Sequence, residues 1–434
     1  MERFILVIIL MSIYCSCSSP VTVSEKSNNG TVSIVDSSSI LAQPYATESA
    51  KKFSKAIGWA DGNMPVAPEG FVVQKFSDKL ENPRWIYVLP NGDVLIAEAG
   101  TKGALKAAAA FVSGNSKSRM SSGSADRITL FRDANKDGIF EMREVFLKDL
   151  NQPLGMVLVG EIFYVANTDG VVAFPYKQGQ TNITATGKKI TDLPANGYNN
   201  HWTRNLITNK SKDKLFITVG SSSNVAEHGI DDEVMRANIL VMNLDGSNKK
   251  VFASGLRNPV GMEFNAESNV LWTAVNERDE LGDELVPDYL TSVTAGGFYG
   301  WPYSYWGQHV DPRMNGERMD LVKTAIVPEV SLGSHTASLG LAFYTGNTFP
   351  ENYHGGAFIG QHGSWNKSTF AGYKVVFVPF KNGKPSGEPQ DFLTGFVANE
   401  NEVYGRPVGI AVLPDGSILV ADDSANTIWR VSKK

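Results

Sequence analysis

Four arginines and two histidines stand at matching places in a chain that repeats itself, and their chemistry points to a site for a small polyanion. Arg84, Arg204, Arg257 and Arg406 each stand at the start of a short apolar phrase. Guanidinium groups stay charged at neutral pH and repel one another, so four gathered on one rim call for an anion between them. Their planar forks suit bidentate carboxylates. His201, in Asn199-Asn200-His201-Trp202-Thr203-Arg204, lies directly before one such phrase, and His362, in Gly360-Gln361-His362-Gly363-Ser364-Trp365-Asn366-Lys367, directly after an apolar run that reads as an inner strand. Neutral imidazole is the side chain best matched to accept a proton at pH 7, so beside an oxidisable alcohol either would act as a base; a lone histidine serves equally as a structural hydrogen-bonder. Trp365 offers a flat face for stacking, or simply blade packing.

A separate oxygen-rich stretch, Asp133-Ala134-Asn135-Lys136-Asp137-Gly138 with Glu144 at the twelfth place, fits the spacing of a calcium loop, including Gly at the sixth position. Its flanks, Ile128-Thr129-Leu130-Phe131 and Val145-Phe146-Leu147, are β-rich instead of helical. Two readings stay open: a structural Ca²⁺ held by Asp133, Asn135, Asp137 and Glu144, or a hairpin turn whose side chains bond their own backbone.

What must position these residues is a repeat. Six apolar runs open at Val94, Ile162, Leu215, Val270, Ala357 and Ile418, spaced 68, 53, 55, 87 and 61 residues apart. That is the scale of four-stranded propeller blades with loop insertions. A second phrase precedes most runs: Leu154-Gly155-Met156, Val260-Gly261-Met262, Leu339-Gly340-Leu341 and Val408-Gly409-Ile410, with Arg84-Trp85-Ile86 and Arg204-Asn205-Leu206 in the same place. Asn91-Gly92 and Asp415-Gly416 separate the two phrases as hairpin turns, since both residues tolerate positive φ. Third strands follow, as at 127–131, 238–242 and 373–377. Long helical periods are nearly absent, so the expected fold is all-β, a six-bladed β-propeller over 66–434. The terminal run Thr427-Ile428-Trp429-Arg430-Val431 needs a partner, for which Gly70-Phe71-Val72-Val73-Gln74 is the candidate. In a closed ring, residues equivalent in the repeat converge on one mouth.

With 434 residues, 42% apolar and 20% charged, the composition is globular, and a net charge of −5 with interspersed signs gives no footprint for nucleic acid. Residues 1–17 read as an export signal: Glu2 and Arg3 precede an apolar stretch from Phe4 to Met11 that is too short to span a bilayer. Cys15 and Cys17, the only cysteines, close it, as in a bacterial lipoprotein signal with lipid on Cys17; plain secretion is the alternative. Residues 18–60, rich in Ser, Thr, Asn and Lys, read as a flexible tether. The location expected is exported, periplasmic or on the outer-membrane surface, with the membrane reached by a lipid anchor only.

Asn199 to Asn205, Leu256-Arg257-Asn258-Pro259-Val260-Gly261, Tyr299-Gly300-Trp301-Pro302, Gln361 to Asn366 and Gly405-Arg406-Pro407-Val408-Gly409 together resemble the sorbosone dehydrogenase branch of the soluble quinoprotein glucose dehydrogenases, from about Val66 to Val431. The resemblance implies a six-bladed propeller that oxidises sugars or polyols with pyrroloquinoline quinone (PQQ) and Ca²⁺. PQQ carries three carboxylates, the small polyanion that the arginines ask for. His201 would be the general base and Arg257, with Asn258, a quinone contact that also stabilises developing charge. Arg84 and Arg406 would clamp carboxylates, with Arg204 and Lys367 as further cofactor contacts and His362 and Trp365 over or beside the ring. The stretch Asn276 to Glu284 aligns with the family's calcium loop, taken to follow an inner strand, so that Arg278, Asp279, Asp283 and Glu284 would hold a cation beside PQQ; otherwise it is a solvated acidic loop. Val260 and the single arginine of Gly405-Arg406-Pro407 depart from the glucose dehydrogenases. No haem-attachment motif exists in the chain, so electrons would leave to an external acceptor. A metal-dependent lactonase-type hydrolase and a non-catalytic carbohydrate-binding propeller are the competing classes.

Overall fold

A computed structural model describes residues 41–60, 62–102, 118 and 123–434, all within the compact unit Asp36–Lys434. Six four-stranded antiparallel sheets form the blades, spanning 83–147, 156–192, 206–254, 259–334, 342–393 and 407–433. The sixth is completed by the strand Phe71–Ser77, which pairs with the terminal strand Thr427–Lys433, Val73 opposite Val431. N- and C-terminal strands thus share one sheet and close the ring, as the unpaired terminal run requires.

The six apolar runs are the second strands of their blades. Val94–Glu98, Leu271–Val275, Ala357–Gln361 and Ile418–Asp422 are buried at every position. Both faces of each lie under neighbouring blades, so they read as continuous apolar runs instead of alternating ones. The phrases upstream are the first, innermost strands, which touch their counterparts in adjacent blades. Their shared glycine has a steric cause: a Cβ on Gly340 would stand 1.9 Å from the Val408 carbonyl oxygen, and one on Gly155 2.1 Å from the Leu206 nitrogen. Inner strands approach too closely there for any side chain.

The largest spacing, between the fourth and fifth runs, comes from an insertion after the strand Pro287–Ser292 that carries the hairpin Ser304–Tyr305/His309–Val310 and the short helix Met319–Val322. Two expectations need correction. Residues 41–60 are not a free tether: Lys55–Ala56 pair in parallel with Glu402–Val403, Ser54 and Ala56 are buried, and Trp59 packs against Tyr404, Phe396 and Trp429. Phe53, Ala56 and Trp59 supply the apolar contacts that the polar composition of the stretch conceals. Further, His362 and the 276–284 loop follow second strands, not inner ones. In an antiparallel blade the second strand ends where the first begins, so both still open at the mouth. The signal at 1–17 with Cys17, and residues 18–40, lie outside the described residues.

Candidate active site

One half of the mouth is built by the third and fourth blades. His201 precedes the inner strand Leu206–Thr208, and its Nδ1 lies 2.9 Å from the Ser221 carbonyl oxygen. Donating Nδ1–H to that oxygen leaves the Nε2 lone pair free, and Nε2 makes no hydrogen bond with a described residue. Burial and the nearby Arg257 cation push the imidazole well below its ordinary pKa, so it is neutral at pH 7. Asn258 stands beside it, because a Cβ on Gly220 would come 2.4 Å from Asn258 Oδ1 and 2.6 Å from His201 Cβ. Asn258 Oδ1 is itself buried without a partner.

Arg257, 2% exposed, spends its donors on the loop that follows. Nη1 donates to the carbonyls of Asn276 (3.2 Å) and Glu277 (2.6 Å), Nε to Asn224 O, and Nη2 to Asn224 Oδ1 and Asp279 Oδ2 (3.3 Å). His335 meets the other Asp279 oxygen at 3.3 Å through Nδ1, while its Nε2 lies 2.8 Å from Gly282 O. Burial would raise the Asp279 pKa, but His335 and Arg257 outweigh it and hold the carboxylate below its ordinary value.

The other half comes from blades one, five and six. Asp423 accepts from Arg84 Nη1 at 2.5 Å and meets His362 Nε2 at 2.8 and 3.0 Å. Arg406, fully buried, donates Nε to His362 O and Nη2 to Gly363 O, and lies over the Tyr373 ring. Burial first, and then Arg406, bring His362 down to about 4. The Arg84 guanidinium also covers Trp202, next in sequence to His201, which joins the two halves. Arg84 Nε and Arg406 Nη1 are buried N–H groups with no acceptor among the described residues. Unpaired donors on two guanidinium groups that both act on His362, Arg406 through its carbonyl and Arg84 through Asp423, fit an anionic ligand with several acceptor oxygens.

The repeat therefore brings Arg84, Arg257, Arg406, His201, His362 and Asn258 together, and leaves others aside. Arg204 is fully buried and bonds the carbonyls of Pro194, His201 and Thr203; burial lowers it to about 9. It props the His201 turn from within the fold. Trp365 stacks on Phe53, and Lys367 donates to Asp283 O and Glu284 Oε1.

Nor are the expected calcium ligands gathered. Arg278 is buried toward Asp311 (3.4 Å), Asp283 accepts from Ser368 N, and Glu284 pairs with Lys367. The loop carbonyls of residues 276, 277, 279, 282 and 283 already accept from Arg257, Asn224, His335 and Lys367. With these five carbonyls engaged and Arg257 among them, this donor set does not fit Ca²⁺. In the 133–138 turn, Asp133 accepts from the nitrogens of Asp137 and Gly138, and Asn135 from Asp137 N. Glu144 sits exposed in the outer strand Met142–Leu147, opposite Leu130. No group of three metal-binding side chains forms among the described residues.

Sequence reasoning missed Asp423, His335 and Asn224. Asp423 had a signal: it follows the sixth run as His362 follows the fifth. His335 and Asn224 lie in blade-specific loops that no repeat marks.

Six blades thus surround a cationic mouth that holds a neutral histidine. The chain belongs to the TrAA12-like family, which it matches over residues 65–288 and 307–434. It is 28% identical over 376 residues to an uncharacterized protein of Borreliella burgdorferi, covering 84% of this chain and 89% of that one. A PQQ-dependent pyranose dehydrogenase of Coprinopsis cinerea is 25% identical over 61% of this chain and 44% of its own length, so the chain spans less than half of that relative. An aldose sugar dehydrogenase of Escherichia coli is 28% identical over 44% of this chain and 45% of its own. In structure, the holo PQQ domain of the Coprinopsis enzyme matches with a TM-score of 0.68 at 21% identity, covering 88% of this chain and all of that domain. The PQQ-bound aldose sugar dehydrogenase of Streptomyces coelicolor matches with a TM-score of 0.56 at 15% identity, over 85% and 100%. At those identities the structural likeness speaks for the fold.

Proposed function

We propose that this protein is a PQQ-dependent dehydrogenase that oxidises a hydroxyl or aldehyde group of a sugar or polyol. The observation that carries the reading is the pair of buried guanidinium donors without an acceptor among the described residues, Arg84 Nε and Arg406 Nη1, in the half-site that Trp202 joins to a neutral His201. PQQ fits those residues, since its carboxylates supply the acceptors they lack. When bound, it supplies a two-electron hydride acceptor that no side chain can provide.

Arg84 and Arg406 hold the cofactor's carboxylates, while Asp423 and the carbonyls of His362 and Gly363 fix both guanidinium groups in place. His201 Nε2 takes the substrate's hydroxyl proton, and the Ser221 carbonyl keeps Nδ1 protonated so that the lone pair faces the mouth. Arg257 and Asn258 contribute fixed dipoles and positive charge beside His201. Trp202, buried at the junction of the two halves, helps to exclude water.

Export, lipid attachment at Cys17 and delivery of electrons to an external acceptor complete the reading; they rest on the sequence alone. A lactonase-type hydrolase needs carboxylates free to cage a metal, whereas Asp279 and Asp423 at this mouth are each paired with an arginine and a histidine. The test is to mix purified protein with PQQ, desalt, and measure quinone absorbance and dye reduction by aldoses and polyols. Retained absorbance with sugar-dependent turnover supports the reading. Binding without turnover keeps the cofactor and removes the aldoses and polyols tried as substrates, whereas absence of binding removes the cofactor and favours the carbohydrate-binding alternative.

A further inference from the structure

We propose that residues 45–59 form a wall of the catalytic mouth, with Thr47 and Ser49 as positioning residues for the loop that carries Asp279. The inference rests on the reading that this mouth takes PQQ. Tyr45 N donates to Leu281 O at 2.8 Å, Thr47 Oγ1 accepts from Asp283 N at 2.7 Å, and Ser49 Oγ accepts from Gly282 N at 3.1 Å. The two loop N–H groups thus find their partners in this N-terminal segment.

The loop is shaped for the contact. Gly282 has φ of 104°, and a Cβ there would lie 2.8 Å from the Thr47 carbonyl oxygen. Both the conformation and the space admit only glycine while the segment is seated. Gly282 O in turn meets His335, which with Arg257 holds Asp279.

The same segment then crosses to the loop that runs on from His362. Asn366 Nδ2 donates to Ala50 O at 2.7 Å, Lys52 N donates to Trp365 O at 2.8 Å, and Phe53 stacks on Trp365 with ring planes 4° apart. The two loops also meet directly, Glu280 N donating to Asn366 Oδ1 at 2.8 Å. Segment and loops therefore close a triangle. Farther on, Trp59 Nε1 donates to Asp422 Oδ2 at 2.7 Å, and the other oxygen of that carboxylate takes Arg406 N at 2.8 Å. Ordering a loop costs conformational entropy. A cofactor that meets pre-ordered loops escapes that cost, so the segment acts through preorganisation of groups it does not itself add.

The experiment compares PQQ binding, by equilibrium dialysis, in the parent protein, in the Thr47→Val/Ser49→Ala double variant and in Thr47→Ser. Two lost loop hydrogen bonds predict roughly ten-fold weaker binding in the double variant. The thermal midpoint of the cofactor-free protein stays within about 2 °C, because the blades keep their contacts. Thr47→Ser, which retains the hydroxyl, binds as the parent does. The inference is overturned if the double variant binds PQQ normally, or if Thr47→Ser loses as much affinity as the double variant. A parent that binds no PQQ overturns both this inference and the proposed function, whereas normal binding by all three overturns the wall alone.

Discussion

Arg257 Nη1 lies 2.6 Å from the carbonyl oxygen of Glu277, and a guanidinium therefore stands among the loop oxygens that the resemblance had assigned to a cation. A divalent ion beside it would have to displace these hydrogen bonds and overcome like-charge repulsion. Ligand binding to the native state raises stability with the logarithm of ligand concentration over its dissociation constant. Millimolar Ca²⁺ added to the cofactor-free protein is therefore expected to shift the thermal midpoint by less than about 1 °C. A rise of several degrees, abolished by a chelator, would contradict this donor accounting.

His201→Ala should cut sugar-dependent dye reduction by about 10²–10⁴ while PQQ binding stays within a few-fold, because a general base is needed at the transition state only. Turnover close to the parent's would remove His201 from the proton-transfer role. His201→Asn serves as a check that retains polarity without the base.

The arginines separate into two kinds with different expected phenotypes. Arg84→Ala and Arg406→Ala should each weaken PQQ binding about ten- to hundred-fold, the worth of one charge-assisted hydrogen bond. Arg204→Met should leave three carbonyls without a buried donor and cost about 3 kcal/mol of stability, with affinity lost only as far as the His201 turn moves. Denaturant unfolding and dialysis distinguish them. An Arg204 variant that is fully stable but unable to bind PQQ would return that residue to the rim.

This division marks how far the sequence could be read. Blade number, closure by 71–77, and the convergence of Arg84, Arg257, Arg406 and His201 follow from a repeat, which places equivalent residues at equivalent heights. The repeat says nothing about which way a side chain turns. Arg204 occupies an equivalent place yet points inward, because the 194–203 turn offers three carbonyls to it. The expected calcium ligands stand apart for a related reason: acidic residues close in sequence, such as Asp279, Asp283 and Glu284, are claimed by Arg257, Ser368 and Lys367 from elsewhere in the chain. The 41–60 segment was misread because a few apolar anchors such as Phe53 and Trp59 outweigh many polar neighbours.

Glu263, in the inner strand Pro259–Phe264, accepts from Phe343 N at 2.8 Å across the joint between the fourth and fifth blades, and burial raises its pKa to about 7. Its folded-state pKa stands above the ordinary value of 4.5, so the folded protein favours the protonated form. That contribution is fully present below about pH 4.5 and is lost as pH rises through about 7. Glu277, also raised to about 7 by burial, acts in the same direction, whereas His362, lowered to about 4, contributes stability that is lost as pH falls toward that value. Whole-protein pH profiles mix these opposing slopes, so the clean measurement is a difference. Glu263→Gln keeps an oxygen for Phe343 N and removes the titration. It should match the parent at pH 4 and exceed it at pH 8 by on the order of 1 kcal/mol in denaturant unfolding. Equal stabilities of parent and variant at both pH values would show that the Glu263 carboxylate is solvated at the blade joint and does not titrate in the raised range.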